Sequence, residues 1–271
     1  PFFEWAIERP PFGDNPPLSA PRCFLAKAGA DGRSLTLVLE DLTGRARPGD
    51  QIAGCSIAEA RAVVAEFARL HCAYWKNPGI AGAPWLFDRA GKAPLTGQSY
   101  PLAAAAFRER FDGRIDGRLL DAMDRFIPLA GDMTAAVGPR LTLIHGEPRV
   151  ENVLFEDAAD GPRAWLIDWQ FADFGSPMFD TAYFLAGSLS PQDRRACERD
   201  LIAAHQAQIA KVDPGYSLDQ ALAEYVAALP FALFTTVGAV MAMPPSDHGD
   251  RLLQVLLERN VAALADWNAI P

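Results

Sequence analysis

Leu141-Thr-Leu-Ile-His145-Gly-Glu147-Pro-Arg149-Val-Glu-Asn152-Val-Leu-Phe155 is followed by Trp165-Leu-Ile-Asp168-Trp-Gln170, in which Asp168 lies sixteen residues after Asn152. The two stretches contain an acid, a cation, an amide and a second acid in a fixed order. Phosphoryl transfer needs these groups: one acid orients a hydroxyl, a cation lies near the phosphate, and Asn and Asp hold Mg²⁺ against the nucleotide. The pattern therefore indicates a phosphoryl-transfer site.

Three short apolar runs surround these residues, and each is typical of a buried strand. They are Leu141–Ile144, Val153–Phe155 and Ala164–Ile167. The segment 145–152, which we call the catalytic loop, then connects two strands, and Asp168 lies at a strand end. Strand ends are rigid, and oxygen ligands suit Mg²⁺. The alternative is that these polar residues only satisfy turns.

The chain resembles the aminoglycoside phosphotransferase and choline kinase-like superfamily, most closely its ecdysteroid kinase-like and related bacterial members. The resemblance extends from about Pro21 to Trp267. The residues that carry it are His145–Phe155, Leu166–Gln170, Gly175–Leu185, Leu37–Leu42 and Arg47–Gln51. It implies an α+β, protein kinase-like, two-lobed fold. Residues 1–42 would be the remnant of a mostly missing small lobe with the hinge, and residues 43–271 a mainly α-helical large lobe with the catalytic loop.

The resemblance also implies roles for single residues. Glu147 would be the catalytic acid, and Asn152 and Asp168 would be the Mg²⁺ ligands. Arg149 would neutralise the transferred phosphate. For Arg149 the alternative is a surface ion pair with Glu151 or Asp157, since most arginines are exposed.

Further residues would support this site. The resemblance makes His145 and Asp180 structural, because they would brace the backbone of the catalytic loop. Glu40 and Leu42 would lie in the hinge between the lobes, where backbone groups bond adenine. Four more residues could line the cleft where a substrate hydroxyl enters: Asp41, Asp50, Trp75 and Trp85. The alternative for them is ordinary loop and core packing.

The function implied is ATP- and Mg²⁺-dependent phosphoryl transfer to a hydroxyl of a small molecule. Glu147 departs from the kinase catalytic loop, which has Asp at this position. Its carboxylate is one methylene further out, and misplacing a reacting group by 1 Å can cost about 10²-fold in rate. A non-catalytic, pseudokinase-like binding or scaffold domain, or an inactive fragment, is therefore the alternative. The acceptor cannot be inferred, because the fold does not specify it.

The amino-terminal part lacks two kinase elements. No G-x-G-x-x-G occurs, and the lysines are Lys27, Lys76, Lys92 and Lys211. Lys27 ends an apolar run before Asp31-Gly32 and a second run at Ser34–Leu39, which predicts a hairpin with a solvated Lys27. The chain begins with Pro1, and residues 2–5 resemble a helix end. We expect a fragment; a naturally short protein is the alternative.

Composition restricts the class of protein. The chain has 271 residues, half of them hydrophobic, and a net charge of −9, which argues against nucleic-acid binding. Its four cysteines are widely spaced, which favours reduced thiols and an expected cytoplasmic location. Tyr225–Ser246 has no charged residue, yet Pro230, Gly238 and acidic flanks predict a kinked, buried helix pair and not a membrane span.

Serine caps mark the starts of three predicted helices. Ser56 precedes Glu59 in a capping box, Ser190 precedes Pro191, and Ser217 opens a third helix. His71, His205 and His248 fall on or near these helices without a partner at metal-ligand spacing. They are expected to be structural or exposed.

Overall fold

A computed structural model describes residues 19–29, 34–136 and 138–271. The first described strands, β1 (Cys23–Ala28) and β2 (Leu35–Leu39), form the predicted antiparallel hairpin, in which Ala26 lies opposite Leu37. Lys27 is exposed, as expected for a solvated strand position. The Asp31-Gly32 turn and the predicted helix end at residues 2–5 lie outside the described residues.

Five further strands build two small sheets around the catalytic loop. They are β3 (Arg47–Pro48), β4 (Thr142–Ile144), β5 (Val153–Ala158), β6 (Gly161–Leu166) and β7 (Asp173–Gly175). One sheet has the order β3-β5-β6, and β4 pairs with β7 in the other, all antiparallel. The three predicted strands are confirmed, although β6 begins and ends earlier in the chain than its apolar run.

Helices make up most of the rest of the described chain. They are α1 (Ile57–Ala73), α2 (Pro78–Ala81), α3 (Ala93–Phe111), α4 (Gly117–Asp124), α5 (Ala130–Ala135), α6 (Pro177–Ser188), α7 (Pro191–Ile209), α8 (Leu218–Gly238) and α9 (Asp247–Asp266). The capping box of Ser56 and Glu59 is confirmed, and Ser190 and Ser217 cap α7 and α8. These local signals fix where each helix begins.

Helix α6 is the centre of the core. Every one of its residues is buried, and it packs against α8, α9 and α1. A helix that is buried on every side is stable only inside a large core. Because the chain reaches α6 directly from β7, this buried helix is positioned beside the catalytic loop.

The prediction of a helix pair at Tyr225–Ser246 is wrong in detail. Helix α8 continues through Pro230 to Gly238 and ends in a 3₁₀ turn at Ala239–Met241. A proline inside a helix costs about 3 kcal/mol, which the burial of most of the surrounding side chains offsets. By length and composition Leu218–Met241 could span a membrane, but 61% of its most apolar window is buried inside the protein, as in a core helix.

A buried ion pair joins α7 to α8 and α9. The Arg194 guanidinium, only 1% exposed, donates to both carboxylate oxygens of Glu198, at 2.8 and 2.7 Å. It also donates to Asp266, and the Tyr225 hydroxyl donates to Glu198 at 2.6 Å. Both charges are therefore fully partnered inside the core.

We predict that Arg194→Ala lowers the free energy of unfolding by about 3–5 kcal/mol, because it leaves the Glu198 carboxylate buried without its cation. Arg195→Ala is the matched control, since Arg195 pairs with the same Asp266 from an exposed position. We expect that substitution to cost less than about 1 kcal/mol. Urea unfolding of both variants measures the difference, and equal losses would contradict the prediction.

Candidate active site

The catalytic loop runs from the end of β4 to the start of β5 and closes in a 3₁₀ turn at Val150–Asn152. The Ile167 N–H donates to the Asn152 carbonyl at 3.0 Å. This bond fixes the end of the loop against the residue before Asp168. The structure therefore brings together the two chain segments that carry the predicted metal ligands.

Gly146 allows the loop to pass close to a second segment. Its φ is +84°, and a Cβ at this position would lie 2.0 Å from the Phe171 carbonyl oxygen. A side chain here would be strained by both the backbone conformation and the contact. Glycine is therefore required for the close approach of the loop to the chain that follows Asp168.

Asp180 on α6 holds the start of the loop. Its Oδ2 accepts the His145 N–H at 2.7 Å, and its Oδ1 accepts the Gly146 N–H at 2.9 Å. His145 in turn contacts the Ile167 carbonyl through Nε2, at 2.8 Å. This geometry agrees with the bracing role that the resemblance implies for His145 and Asp180.

A chain of buried side chains extends from Asp180 away from the loop. His71 Nε2 lies 3.1 Å from Asp180 Oδ2, and His71 Nδ1 lies 3.0 Å from His205 Nε2. His205 Nδ1 lies 2.8 Å from the Thr181 hydroxyl. One proton on each imidazole satisfies all of these contacts, with each donor facing an acceptor.

The structural expectation for the three helix histidines is met, since His71 and His205 are buried in this chain and His248 is exposed. Burial lowers the pKa of His205 well below 6.5, and the neighbouring His71 lowers it further. Burial also lowers the pKa of His145, against the effect of Asp180. Burial alone would raise the pKa of Asp180, but His71, His145 and the Gly146 N–H lower it overall.

A second brace holds the far side of the loop. The Gln51 side chain accepts the Val150 N–H at 2.9 Å and donates to the Gly187 carbonyl at 2.8 Å. Arg259 on α9 donates to the backbone carbonyls of both Gln51 and Gly187. Gln51 ends the Arg47–Gln51 stretch of the resemblance, but sequence reasoning gave it no role.

Glu147 is half-buried beside the other charged groups of the site. Burial raises the pKa of its carboxyl group; Asp168 raises it further, and Arg149 and Arg89 oppose the shift. Arg149 Nε lies 3.9 Å from Glu147 Oε1, and Arg149 Nη1 lies 3.5 Å from Glu151 Oε2. The ion pair with Glu151 is thus present, and Arg149 also faces the candidate acid. Among the described residues no ion pair joins it to Asp157.

The two predicted metal ligands differ in exposure. Asn152 is buried, and its Nδ2 donates to the Glu147 carbonyl at 2.9 Å. Its Oδ1 is therefore the side-chain atom left to bind a cation. Asp168 is exposed, with a φ of +61° that is uncommon for a non-glycine residue. Within the described ranges no cluster of three His, Cys, Asp or Glu could hold a metal alone. Mg²⁺ commonly completes its coordination with water and substrate phosphates, so these two residues fit such a site.

A literal Asp-Phe-Gly triplet occurs at Asp173–Gly175, but its acid is not available for a metal. Asp173 is buried in β7, where its Oδ2 accepts the Arg89 N–H at 2.8 Å and its Oδ1 accepts the Phe174 N–H at 2.7 Å. The exposed Asp168 is therefore the better metal ligand.

Arg89 is a site residue that sequence reasoning missed. Its Nη2 donates to the Gly146 carbonyl at 2.8 Å, and its guanidinium lies over the Phe87 and Phe179 rings at 5.1 and 4.5 Å. The Gly146 residue is thus bonded through its N–H by Asp180 and through its C=O by Arg89. No sequence signal marks Arg89, because it lies far from the loop along the chain.

The predicted hinge follows β2. The Glu40 N–H donates to the Arg22 carbonyl at 2.7 Å, and the Leu42 carbonyl accepts the N–H groups of Arg45 and Ala46 at 3.0 Å. Within the part of the chain that the structure describes, the Glu40 carbonyl and the Leu42 N–H have no such bond. These two groups match the acceptor and the donor that adenine binding needs.

The other cleft candidates make local or core contacts. Trp75 donates to Asp213 at 3.0 Å and packs against Tyr216, and Trp85 packs against the core. Asp41 and Asp50 accept backbone N–H groups two or three residues further along the chain. The packing alternative accounts for these contacts.

Comparison with known families gives a match over part of the chain. A model of the ecdysteroid kinase-like family matches residues 96–212, which include the whole catalytic loop, Asp168 and Asp180. No curated protein sequence matches the chain significantly.

Three solved kinases are similar in structure. An ethanolamine kinase from Plasmodium vivax is 12% identical with a TM-score of 0.54, and the match covers 89% of this chain and 67% of that enzyme. A glucosamine kinase, solved with glucosamine, ADP and inorganic phosphate, is 17% identical with a TM-score of 0.54, covering 94% and 64%. A choline kinase from Cryptosporidium parvum is 13% identical with a TM-score of 0.54, covering 93% and 76%.

The chain has the protein kinase-like fold. The resemblance to the aminoglycoside phosphotransferase and choline kinase-like superfamily is confirmed. At these identities the similarity establishes the fold alone, and the chain spans about two thirds of the length of the ethanolamine and glucosamine kinases. The matching family model and the three similar structures are all described as kinases or kinase-like.

We predict that stability falls as the pH drops below about 6.5, because unfolded histidines take up protons there while buried His205 and His145 do not. Their stabilising effect is complete above the unfolded pKa and is lost as the pH falls towards the folded pKa. Each histidine contributes up to about 1.4 kcal/mol per pH unit.

His205→Gln should remove one of these two contributions from the slope of unfolding free energy against pH. Denaturant unfolding between about pH 7.5 and 5 measures this slope. Exposed His248→Gln is the control and should leave it unchanged. An unchanged slope in the His205 variant would show that His205 takes up its proton as readily in the folded protein as in the unfolded chain.

Proposed function

We propose that the protein transfers the γ-phosphoryl group of ATP, with Mg²⁺, to a hydroxyl of a small molecule. The observation that carries the proposal is the bonded arrangement of Glu147, Asn152 and Asp168. Asn152 donates to the Glu147 carbonyl, and its own carbonyl accepts the N–H of the residue before Asp168. One rigid unit therefore holds an acid, an amide and a second acid, as phosphoryl transfer requires.

Nucleotide and metal each have groups that fit them. The Glu40 carbonyl and the Leu42 N–H would bond adenine, and Asn152 Oδ1 with the Asp168 carboxylate would hold Mg²⁺. When bound, Mg²⁺ would neutralise charge on the β- and γ-phosphates. The glucosamine kinase that was solved with ADP and inorganic phosphate has the same fold, which supports use of a nucleotide.

Glu147 orients the acceptor hydroxyl and takes its proton. The hydroxyl oxygen bonds to the γ-phosphorus, the bond to the β–γ bridging oxygen breaks, and ADP leaves. Arg149, beside Glu147, compensates the charge of the phosphoryl group. Burial raises the pKa of Glu147 above 4.5, so the carboxylate is a stronger base than an exposed one, and activity is lost as the pH falls through this raised pKa.

The division of the chain into a small and a large lobe is also part of the proposal. Residues 1–42 would belong to the small lobe with the hinge, and residues 43–271 to the large lobe. We also propose a cytoplasmic protein that acts on a small molecule and binds neither nucleic acid nor a membrane. The acidic net charge and the burial of the apolar helix α8 support this assignment.

Asp168→Ala should weaken Mg²⁺-dependent ATP binding at least about tenfold, because a direct metal ligand matters no less than the outer groups whose loss costs about 10–100-fold. Calorimetry with ATP, with and without Mg²⁺, measures the effect. Asp160→Ala removes an exposed acid from the β5–β6 turn and should change nothing. Equal Mg·ATP affinity in the Asp168 variant and the unaltered protein would refute the metal site.

Glu147→Asp should raise turnover with little change in nucleotide affinity, if the longer acid lies too far forward for the hydroxyl. The measurement is ADP formation over a panel of small alcohols, with ATP affinity determined separately. Glu151→Asp shortens a neighbouring acid and serves as the control. A fall in turnover would show instead that the site is built around the longer side chain.

A further inference from the structure

A cavity of about 330 Å³ opens beside the catalytic loop. It lies between α3, α8 and the segment before α3, and its lining includes Phe87, Arg89, Lys92, Tyr100 and Phe234. Small-molecule sites have volumes of about 300–1,000 Å³. The cavity is therefore large enough for a compact acceptor.

Two contacts connect this cavity with the proposed active site. Arg89, on its wall, donates to the carbonyl of Gly146, the residue before Glu147. Thr235, also on its wall, interacts with Tyr183 and lowers its pKa. The pKa of Tyr183 is raised to about 12, first by burial and then by the charge of Glu147. A molecule in the cavity would thus lie next to the residues around the candidate acid.

The charged side chains that line the cavity are all positive. Arg89 and Lys92 contribute cations, and the lining has no Asp or Glu. Arg89 Nε is buried and has no hydrogen-bond partner among the described residues. Asp173 accepts the backbone N–H of Arg89 and lies 3.8 Å from Arg140. A buried donor without a partner is costly, so an anion that accepts from Arg89 would be stabilised here.

The remaining walls are apolar. Phenyl rings of Phe87, Phe231 and Phe234 line the cavity, and Leu95 and Met241 at its edge are 62% and 63% exposed. Exposed apolar side chains grouped around a cavity are typical of ligand sites. The ligand is therefore expected to combine an apolar body with its negative charge.

We propose that the cavity binds the acceptor, and that the acceptor is a hydroxy acid with an apolar body. Its carboxylate pairs with Arg89 and Lys92, its body lies against the phenyl rings, and its hydroxyl reaches Glu147. This assignment rests on the proposed phosphotransferase function. A cationic amino alcohol is disfavoured, because its ammonium would meet two cations and no acid in the lining.

The test uses three probes of nearly equal shape: para-(hydroxymethyl)benzoate, its methyl ester, and para-(aminomethyl)benzyl alcohol. Calorimetry of the chain with each probe, without nucleotide, measures binding independently of catalysis. We expect the carboxylate to bind at least about tenfold more tightly than the ester or the amine, a difference of about 1.4 kcal/mol.

Lys92→Glu reverses the charge of an exposed residue at the start of α3, where a negative charge suits the helix dipole. The variant should lose the preference for the carboxylate and bind the amine more tightly. Lys211→Glu is the matched control on α7's carboxy-terminal side, outside the cavity lining, and should keep the preference.

Each outcome separates the two proposals. Equal affinities for the three probes, tighter binding of the amine, or no binding at about millimolar concentration would overturn the acceptor assignment. Suppose that the carboxylate binds, that Lys92→Glu abolishes this binding, and that no ADP forms when Mg·ATP is added. This result would support the cavity as the binding site and contradict the phosphotransferase function. Phosphorylation of the amine but not of the carboxylate would support the phosphotransferase function and contradict the acceptor assignment.

Discussion

The position of the catalytic loop depends on one buried carboxylate. Asp180 lies in a helix that is buried on all sides, yet it keeps its charge because His71 and two loop N–H groups bond to it. A buried charge is tolerated only when it is partnered in this way. The same bonds fix His145 and Gly146 relative to the helical core. This attachment, together with the Gln51 brace at Val150, positions the groups further along the loop.

Features that depend on residues close together in the chain could be predicted from the sequence. The three strands around the loop, the serine caps of α1, α7 and α8, and the hairpin of β1 and β2 are all of this kind. Glu147 and Asn152 could be proposed for the same reason, since they lie in one loop. The prediction of Asp168 required only that the apolar run Ala164–Ile167, which precedes it, be recognised as a strand.

Contacts between distant segments could not be predicted from the sequence. Arg89, His71, His205 and Gln51 reach the loop or its brace through the fold, and no local spacing records their contacts. The continuity of α8 through Pro230 is a similar case, because burial against other helices overrides a local signal for a break. A local match can also mislead, as the buried Asp173 shows: only the structure reveals that backbone N–H groups occupy its carboxylate.

The double attachment of Gly146 has a consequence for the acceptor. Asp180 bonds its N–H and Arg89 bonds its C=O, so the backbone that leads into Glu147 has little freedom to move. The extra methylene of Glu147 adds about 1.5 Å to its reach, and the loop cannot retract to absorb it. The side chain must bend, or the acceptor hydroxyl must lie further from the loop, on the side where Arg89 lines the cavity. In the proposed site Arg89 would therefore couple the position of the acid to the charge that the acceptor meets, and substrate charge and catalytic geometry would change together if Arg89 were replaced.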